Sequence, residues 1–299
     1  MRLLKKILSV IIVMWLLPGK ITAQDTTDIM QMLETENAIA TDYTTATFKT
    51  TRLINGHTVE NVGKGVMDVK ISHRFGKVNG GGYELFGLDN ATMRMGFDFG
   101  LTNYLMIGIG RSTFQKTYDA FFKVKLLRQS KGKRNMPVTV SYVPTIALKT
   151  LRFDDTSRKN YFSSRLFFTH QLLIGRKFSE STSLQIMPTY SHRNLVQSVA
   201  EPNDLLALGI GGRQKLSKRV SLNFEYYYQL PLYKLLNTTN SLSVGFDIET
   251  GGHVFQLHFT NSQGMSERTF INETTGLWEK GDIFFGFNIS RVFTIGKRK

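Results

Sequence analysis

Taken every second residue, 282–295 (DIFFGFNISRVFTI) separates into two faces. Phe285, Phe287, Ile289, Phe293 and Ile295 form one, with Arg291 its only charge, and Gly286, Asn288, Ser290 and Thr294 form the other. A period of two over this length predicts a strand with one apolar and one polar side. The stretch is longer than the usual globular strand and about long enough to cross a bilayer when tilted. One strand cannot live in lipid alone, because its edge N–H and C=O groups would go unsatisfied. The rest of the chain must supply partners that close a barrel.

The same parity recurs from residue 66 onward. Met67, Val69, Ile71 and Phe75 oppose Asp68, Lys70, Ser72 and Arg74, and Met93, Met95, Phe97 and Phe99 oppose Thr92, Arg94, Gly96 and Asp98. Leu105, Ile107 and Ile109 follow a tight turn, and then Tyr118, Ala120, Phe122, Val124 and Leu126 oppose Thr117, Asp119, Lys123 and Lys125. Four more segments, starting near residues 138, 162, 184 and 204, repeat the pattern, the last less cleanly. The final third is regular: Phe224, Tyr226 and Tyr228 against Asn223, Glu225 and Gln229; Val244, Phe246 and Ile248 against Gly245, Asp247 and Glu249; Phe255, Leu257 and Phe259 against Gln256 and His258.

This predicts an all-β fold, a transmembrane antiparallel β-barrel of about twelve strands over 66–295. Connections at 101–103, 178–182, 216–219 and 250–252 are short, while those at 76–89, 152–159, 194–203, 231–240 and 262–281 are longer and polar. Short periplasmic turns opposite longer extracellular loops is the outer-membrane arrangement. Two connections fit less neatly, a short outer loop at 112–116 and a longer inner one at 129–135. The rival is a soluble barrel or sandwich with its polar face outside. Strand length, a leader sequence and large apolar residues on every strand favour the membrane.

Residues 1–23 have a basic start, an apolar run over 7–17 and a small residue at Ala23, the pattern of a cleaved signal peptide. Residues 24–65 form an N-terminal segment, periplasmic or luminal: 24–43 are polar, with Ile29, Met32 and Leu33 on one possible helical face, and the Thr-rich 44–53 suit a lumen or a barrel mouth. Residues 296–299 (GKRK) are a basic tail.

Composition trims the alternatives. The chain has no cysteine, which removes disulfides, thiolate metal sites and a catalytic thiol. Of the formal charge of +15, Arg2, Lys5, Lys6 and Lys20 in the leader account for four, leaving +11. Export argues against reading that charge as nucleic-acid binding. The six histidines show no metal-ligand spacing, and no cofactor motif is present. Gly108–Gly110 and Gly209–Gly212 look superficially like phosphate loops, but neither opens a helix.

The polar faces place both signs of charge in a lumen: Lys70, Arg74, Arg94, Lys123, Lys125, Arg165 and Arg213 beside Asp68, Asp98, Asp119, Glu225, Asp247 and Glu249, with His258 among them. One reading is a pore of weak anion preference. The other is that these residues pair across strands and plug a narrow barrel. Ser164 and His192 both fall on the apolar parity, as in barrel lipases, but counting from the 178–182 turn sets His192 opposite about Thr169, too far from Ser164 for a nucleophile–base bond.

Residues 44–57 (TTATFKTTRLINGH), 71–76 (ISHRFG), 83–89 (YELFGLD), 159–178 and 244–262 resemble a family of Bacteroidota outer-membrane β-barrel proteins catalogued as a domain of unknown function. The resemblance implies an outer-membrane barrel and no established activity. The expected partners are outer-membrane lipids, the barrel-assembly machinery and small polar or anionic solutes. The functional expectation is a passive channel, with a plugged docking barrel as the alternative and a lipid-acting enzyme third.

Overall fold

The computed structural model describes residues 30–31, 40–153, 156–157, 159–196 and 198–295. The signal-peptide reading, the helical face proposed for Ile29, Met32 and Leu33, and the basic tail therefore lie outside the described residues.

Alternation does what the pattern requires. Twelve strands close into one antiparallel barrel: β1 Val66–Lys77, β2 Ala91–Gly100, β3 Leu105–Ser112, β4 Thr117–Leu127, β5 Thr139–Lys149, β6 Leu166–Lys177, β7 Thr182–Arg193, β8 Asp204–Lys215, β9 Val220–Gln229, β10 Ser241–Thr250, β11 His253–Thr260 and β12 Phe284–Thr294. Each strand pairs with its neighbour in sequence, and β12 closes the ring on β1 with Ile289 opposite Ile71 and Phe293 opposite Met67. Closure leaves no unpaired edge, which is the condition for spanning lipid. Across the seam the outward rings reinforce the ladder: His73 stacks on Phe287 at 4.9 Å and Phe75 on Phe285 at 5.7 Å.

Outward parity carries the apolar side chains. Ile109, Phe122, Ile186, Leu208, Phe246 and Phe259 are all exposed, and inward parity alternates with them as buried positions. Exposed apolar residues repeated around a closed wall have no place in water; they are a lipid-facing belt. The short turns lie at one end, called here the turn end. At the other, the loop end, the β11–β12 connection folds back into the barrel and carries a short helix, α1 (Glu267–Asn272), all six of whose residues are buried.

The chain divides into two compact units, Met1–Asp42 with Gly132–Arg134, and Tyr43–Lys131 with Asn135–Lys299. In the first, the Lys133 N–H donates to the Ala40 carbonyl at 3.2 Å. The second contains the barrel and everything described below.

Candidate functional site: a plugged lumen

Eight-stranded barrels fill with their own side chains and sixteen-stranded ones hold an aqueous channel, so twelve strands leave a lumen that must be filled or wet. Here it is filled. Residues 47–48 and 50–59 are buried, although many are polar, and Lys49 between them is exposed. They form a hairpin: Arg52 and His57 make an antiparallel bridge, the Leu53 N–H donates to the Gly56 carbonyl at 2.8 Å, and the Thr58 N–H donates to the Thr51 carbonyl at 3.0 Å. The turn falls on Asn55-Gly56, residues suited to tight turns. The threonines that gave this stretch no apolar face serve its own backbone, as where the Thr58 hydroxyl donates to the Thr50 carbonyl at 2.7 Å.

The barrel wall then meets the hairpin backbone group by group. At the tip, the Glu225 carboxylate on β9 accepts from the N–H groups of Ile54 (3.3 Å), Asn55 (2.9 Å) and Gly56 (3.0 Å). On β4, the Lys123 ammonium donates to the carbonyls of Thr51 (3.1 Å), Thr58 (2.9 Å) and Glu60 (2.8 Å). The Gln185 amide on β7 extends the hairpin edge, accepting from the Val59 N–H and donating to the His57 carbonyl, both at 2.8 Å. Gln256 on β11 donates to the Leu53 carbonyl at 2.8 Å, and Asn288 on β12 to the Ile54 carbonyl at 3.0 Å. Three opposing directions thus fix one hairpin through its peptide groups.

The remaining luminal charges are paired. Lys70 lies between Asp68 (2.7 Å) and Asp98, and Thr51 of the hairpin donates to Asp98 at 2.8 Å. Arg94 makes a two-point contact with Asp119, its Nε donating at 2.9 Å. Arg74 donates to the Asn55 side chain at 2.8 Å and to the Ser262 carbonyl. Gln256 donates to Asp247 at 2.8 Å, while Glu249 meets Lys49 at 2.7 Å and Arg213 at 3.9 Å. Lys125 approaches Glu60 at 3.9 Å. His258 is fully buried, with neither ring nitrogen hydrogen-bonded.

Two closures meet inside the barrel. The hairpin enters from the turn end, where the chain continues through 60–65 into β1; α1 descends from the loop end. They touch where Arg52 donates to Glu267 at 2.5 Å and the His57 ring lies 3.5 Å from the same carboxylate. Beside them the free space between Arg52, Lys70 and Arg94 is only about 10 Å³, room for a single water. A wider cavity of about 600 Å³ opens below the hairpin, lined by Phe48, Lys49, Glu60, Asp68, Glu249 and His253.

One side of the lumen seals by apolar contact. Met106, Phe121, Val143, Leu173, Met187, Leu205 and Tyr227 come from seven consecutive strands, β3 to β9, and pack with Phe48, Leu53 and Val59 of the hairpin and with Phe270 and Ile271 of α1. The glycines of β8 admit this filling: a Cβ on Gly211 would collide with Leu53, and one on Gly209 would lie 2.7 Å from the Tyr227 ring. Their function is space.

Three expectations need correction. Arg165 does not line the lumen: it ends the one-turn Phe162–Arg165 segment before β6, donates to the Lys149 carbonyl at 2.9 Å and covers the Phe153 ring at 3.9 Å. Without it, Lys70, Arg74, Arg94, Lys123, Lys125 and Arg213 face an equal number of carboxylates, Asp68, Asp98, Asp119, Glu225, Asp247 and Glu249, so the small excess of positive charge disappears. The β11–β12 loop, expected outside, sends α1 inward. Sequence reasoning also passed over Arg52, Asn55, Gln185, Gln256, Asn288 and Glu267 as site residues. Gln185, Gln256 and Asn288 lay on the polar parity, where an amide can serve a backbone.

A family model described as "Membrane bound beta barrel domain (DUF5777)" matches residues 48–293, from the hairpin through the last strand. The chain belongs to this family. With its lipid-facing belt and closed twelve-stranded wall, the chain is a membrane-bound β-barrel. Solved structures of similar shape include the NanC porin (9% identical, covering 76% of this chain and 98% of that one, TM-score 0.46). Others are an outer membrane channel from Pseudomonas putida F1 (11%, 79% and 98%, TM-score 0.46) and Omp33 of Acinetobacter baumannii (8%, 76% and 97%, TM-score 0.39). Likeness at this level supplies no function for the plugged lumen. No curated protein matches the chain.

Proposed function

We propose that the protein is a solute-passing barrel closed at rest, whose hairpin 47–59 withdraws toward the turn end to open it. The carrying observation is how the hairpin is held. Beside its apolar contacts and a few side-chain pairs, its peptide groups are tied to the wall by side chain-to-backbone bonds from Glu225, Lys123, Gln185, Gln256 and Asn288, each of which water can replace once the lumen hydrates. No strand of the wall has to break for the hairpin to leave. The emptied wall would present balanced charge, suited to small polar solutes and weak in ion selectivity.

Outer-membrane lipid on the belt and the barrel-assembly machinery are the partners this reading needs. A lipid-acting enzyme fits less well. His192 directs Nδ1 to Asp204 at 2.7 Å, and its strand partner is Phe168, four residues beyond Ser164.

Planar-bilayer recording tests the proposal. The full chain should be closed for most of the record, and a chain lacking 47–59 should conduct through the part of the lumen that α1 does not fill. Silence from both would overturn it in favour of a structural or docking barrel.

A further inference from the structure

At the loop end, outside the plugged lumen, a separate cavity of about 490 Å³ lies between the β1–β2 connection and the β11–β12 loop. That is within the size range of small-molecule sites. Its polar lining is Lys77, Asn79, Glu84, Asn90, Thr92 and Gln263.

The loop that carries Glu84 and Asn90 to the cavity is shaped by unusual backbone between them. Leu85 and Phe86 hold positive φ (44° and 54°), and Gly87 follows at 90°. A Cβ on Gly87 would fall 2.5 Å from the Gly76 carbonyl carbon, so a Gly76–Gly87 approach folds the loop down over β1. Bulky residues in the left-handed region persist only where surrounding structure imposes them, and such positions concentrate at ligand clamps. The opposite wall is clasped: Asp282 accepts from Lys77 at 2.7 Å and from Asn79 at 3.1 Å, and Asn79 also donates to the Lys280 carbonyl at 3.2 Å.

The clasp leaves a particular chemistry facing the cavity. Lys77 is neutralised by Asp282. Among the described residues, the side chains of Glu84, Asn90 and Gln263 have no hydrogen-bond or ion-pair partner, and Glu84 and Gln263 are only partly exposed. Two free amides each offer donors and an acceptor in one group, and the carboxylate accepts only. Neighbouring hydroxyls on a sugar ring, each both donor and acceptor, complement that set. The one uncompensated charge is negative, which disfavours uronic or sialic acids and phosphorylated sugars.

We infer that this cavity is a binding site for a neutral oligosaccharide presented from outside the cell. The inference deepens the transport reading by naming a solute class, yet binding is measured without conduction, so either can fail alone. The experiment is calorimetry on the refolded full chain in lauryldimethylamine oxide, a detergent without a sugar headgroup. The probes are trimers of the malto-, cello-, chito- and manno- series, with trigalacturonate as the anionic control.

At least one neutral trimer should bind, Asn90→Ala and Gln263→Ala should each weaken it tenfold or more, and trigalacturonate should bind at least tenfold more weakly. Glu84→Gln should narrow that last gap. No binding by any neutral trimer, binding unaltered by both amide substitutions, or trigalacturonate binding as tightly as the neutral sugars would each overturn the inference. Unchanged heat-modifiable gel mobility confirms that the variants retain the barrel.

Discussion

Glu225→Gln is the most direct way to loosen the hairpin. The carboxylate accepts three peptide N–H groups at 2.9–3.3 Å from Ile54, Asn55 and Gly56. Ile54 and Gly56 donate to the same carboxylate oxygen, so a glutamine that keeps its oxygen there preserves two neutral bonds and sets its NH₂ against the Asn55 N–H. Hydrogen bonds to a charged group are worth about 1.5–3 kcal/mol each and neutral ones about 1 kcal/mol. The 3.3 Å contact belongs at the low end. The net loss is then about 3–5 kcal/mol of hairpin retention. At 1.4 kcal/mol per tenfold, the open-to-closed ratio should rise by about two to four powers of ten. Single-channel open probability reads this directly. The control is the same substitution in a chain lacking 47–59, where it should change open probability little. Equal open probability in the Glu225→Gln and unaltered full-length proteins, with the shortened chain conducting, would refute the idea that the carboxylate holds the plug.

Further predictions follow from the same packing. Gly56→Ala sets a methyl against the Tyr227 hydroxyl, and that ring is 1% exposed and held by Phe270 at 5.1 Å, so overpacking of about 1–3 kcal/mol should lower the urea midpoint; an unchanged midpoint would mean the tip sits elsewhere. Arg52→Met and Glu267→Gln should be coupled, because the pair joins hairpin to α1; additivity within about 0.5 kcal/mol in a double-mutant cycle would show that the two closures move independently. Asp282 is held at about 2, chiefly by the hydrogen bond from Lys77, then by Asn79 and the Leu277 N–H. A carboxylate depressed when folded contributes above its unfolded value, near 3.9, and that contribution is lost as pH falls through 2. The clasp should therefore hold at pH 4 and loosen toward pH 2, read as pepsin cleavage in 277–283 that rises over that interval; cleavage independent of pH there would reject the clasp.

The wall was legible because strand parity is a local property: two lists of residues identify each strand, and the short connections set each beside its neighbour in sequence. The closing pair of β12 on β1 could be anticipated from one terminal strand in search of an edge. The filling was harder to read. Phe121, Met187 and Tyr227 sit on the inward parity of strands whose other inward residues are polar, and such exceptions signal a lumen with something apolar in it. They do not say what. The hairpin carries no alternation because its backbone bonds run to side chains of β4, β7, β9, β11 and β12, between 63 and 234 residues away. Arg165 failed for the opposite reason: its parity was right, but the chain turns into a 3-10 segment just before β6 begins.

The order of the chain adds a consequence for biogenesis. The hairpin precedes β1, so it is among the first parts of the barrel unit to be made, yet the groups that grip it are dispersed along the later strands and its last anchor, Asn288, lies on β12. It cannot be fully seated until the seam between β12 and β1 forms. If the seam closes before the hairpin docks, a complete ring stoppered only by α1 exists in the membrane until it does. Whatever lowers the docking rate lengthens the life of that species, so the cell's exposure to leakage is set by folding kinetics as much as by the strength of the final closure.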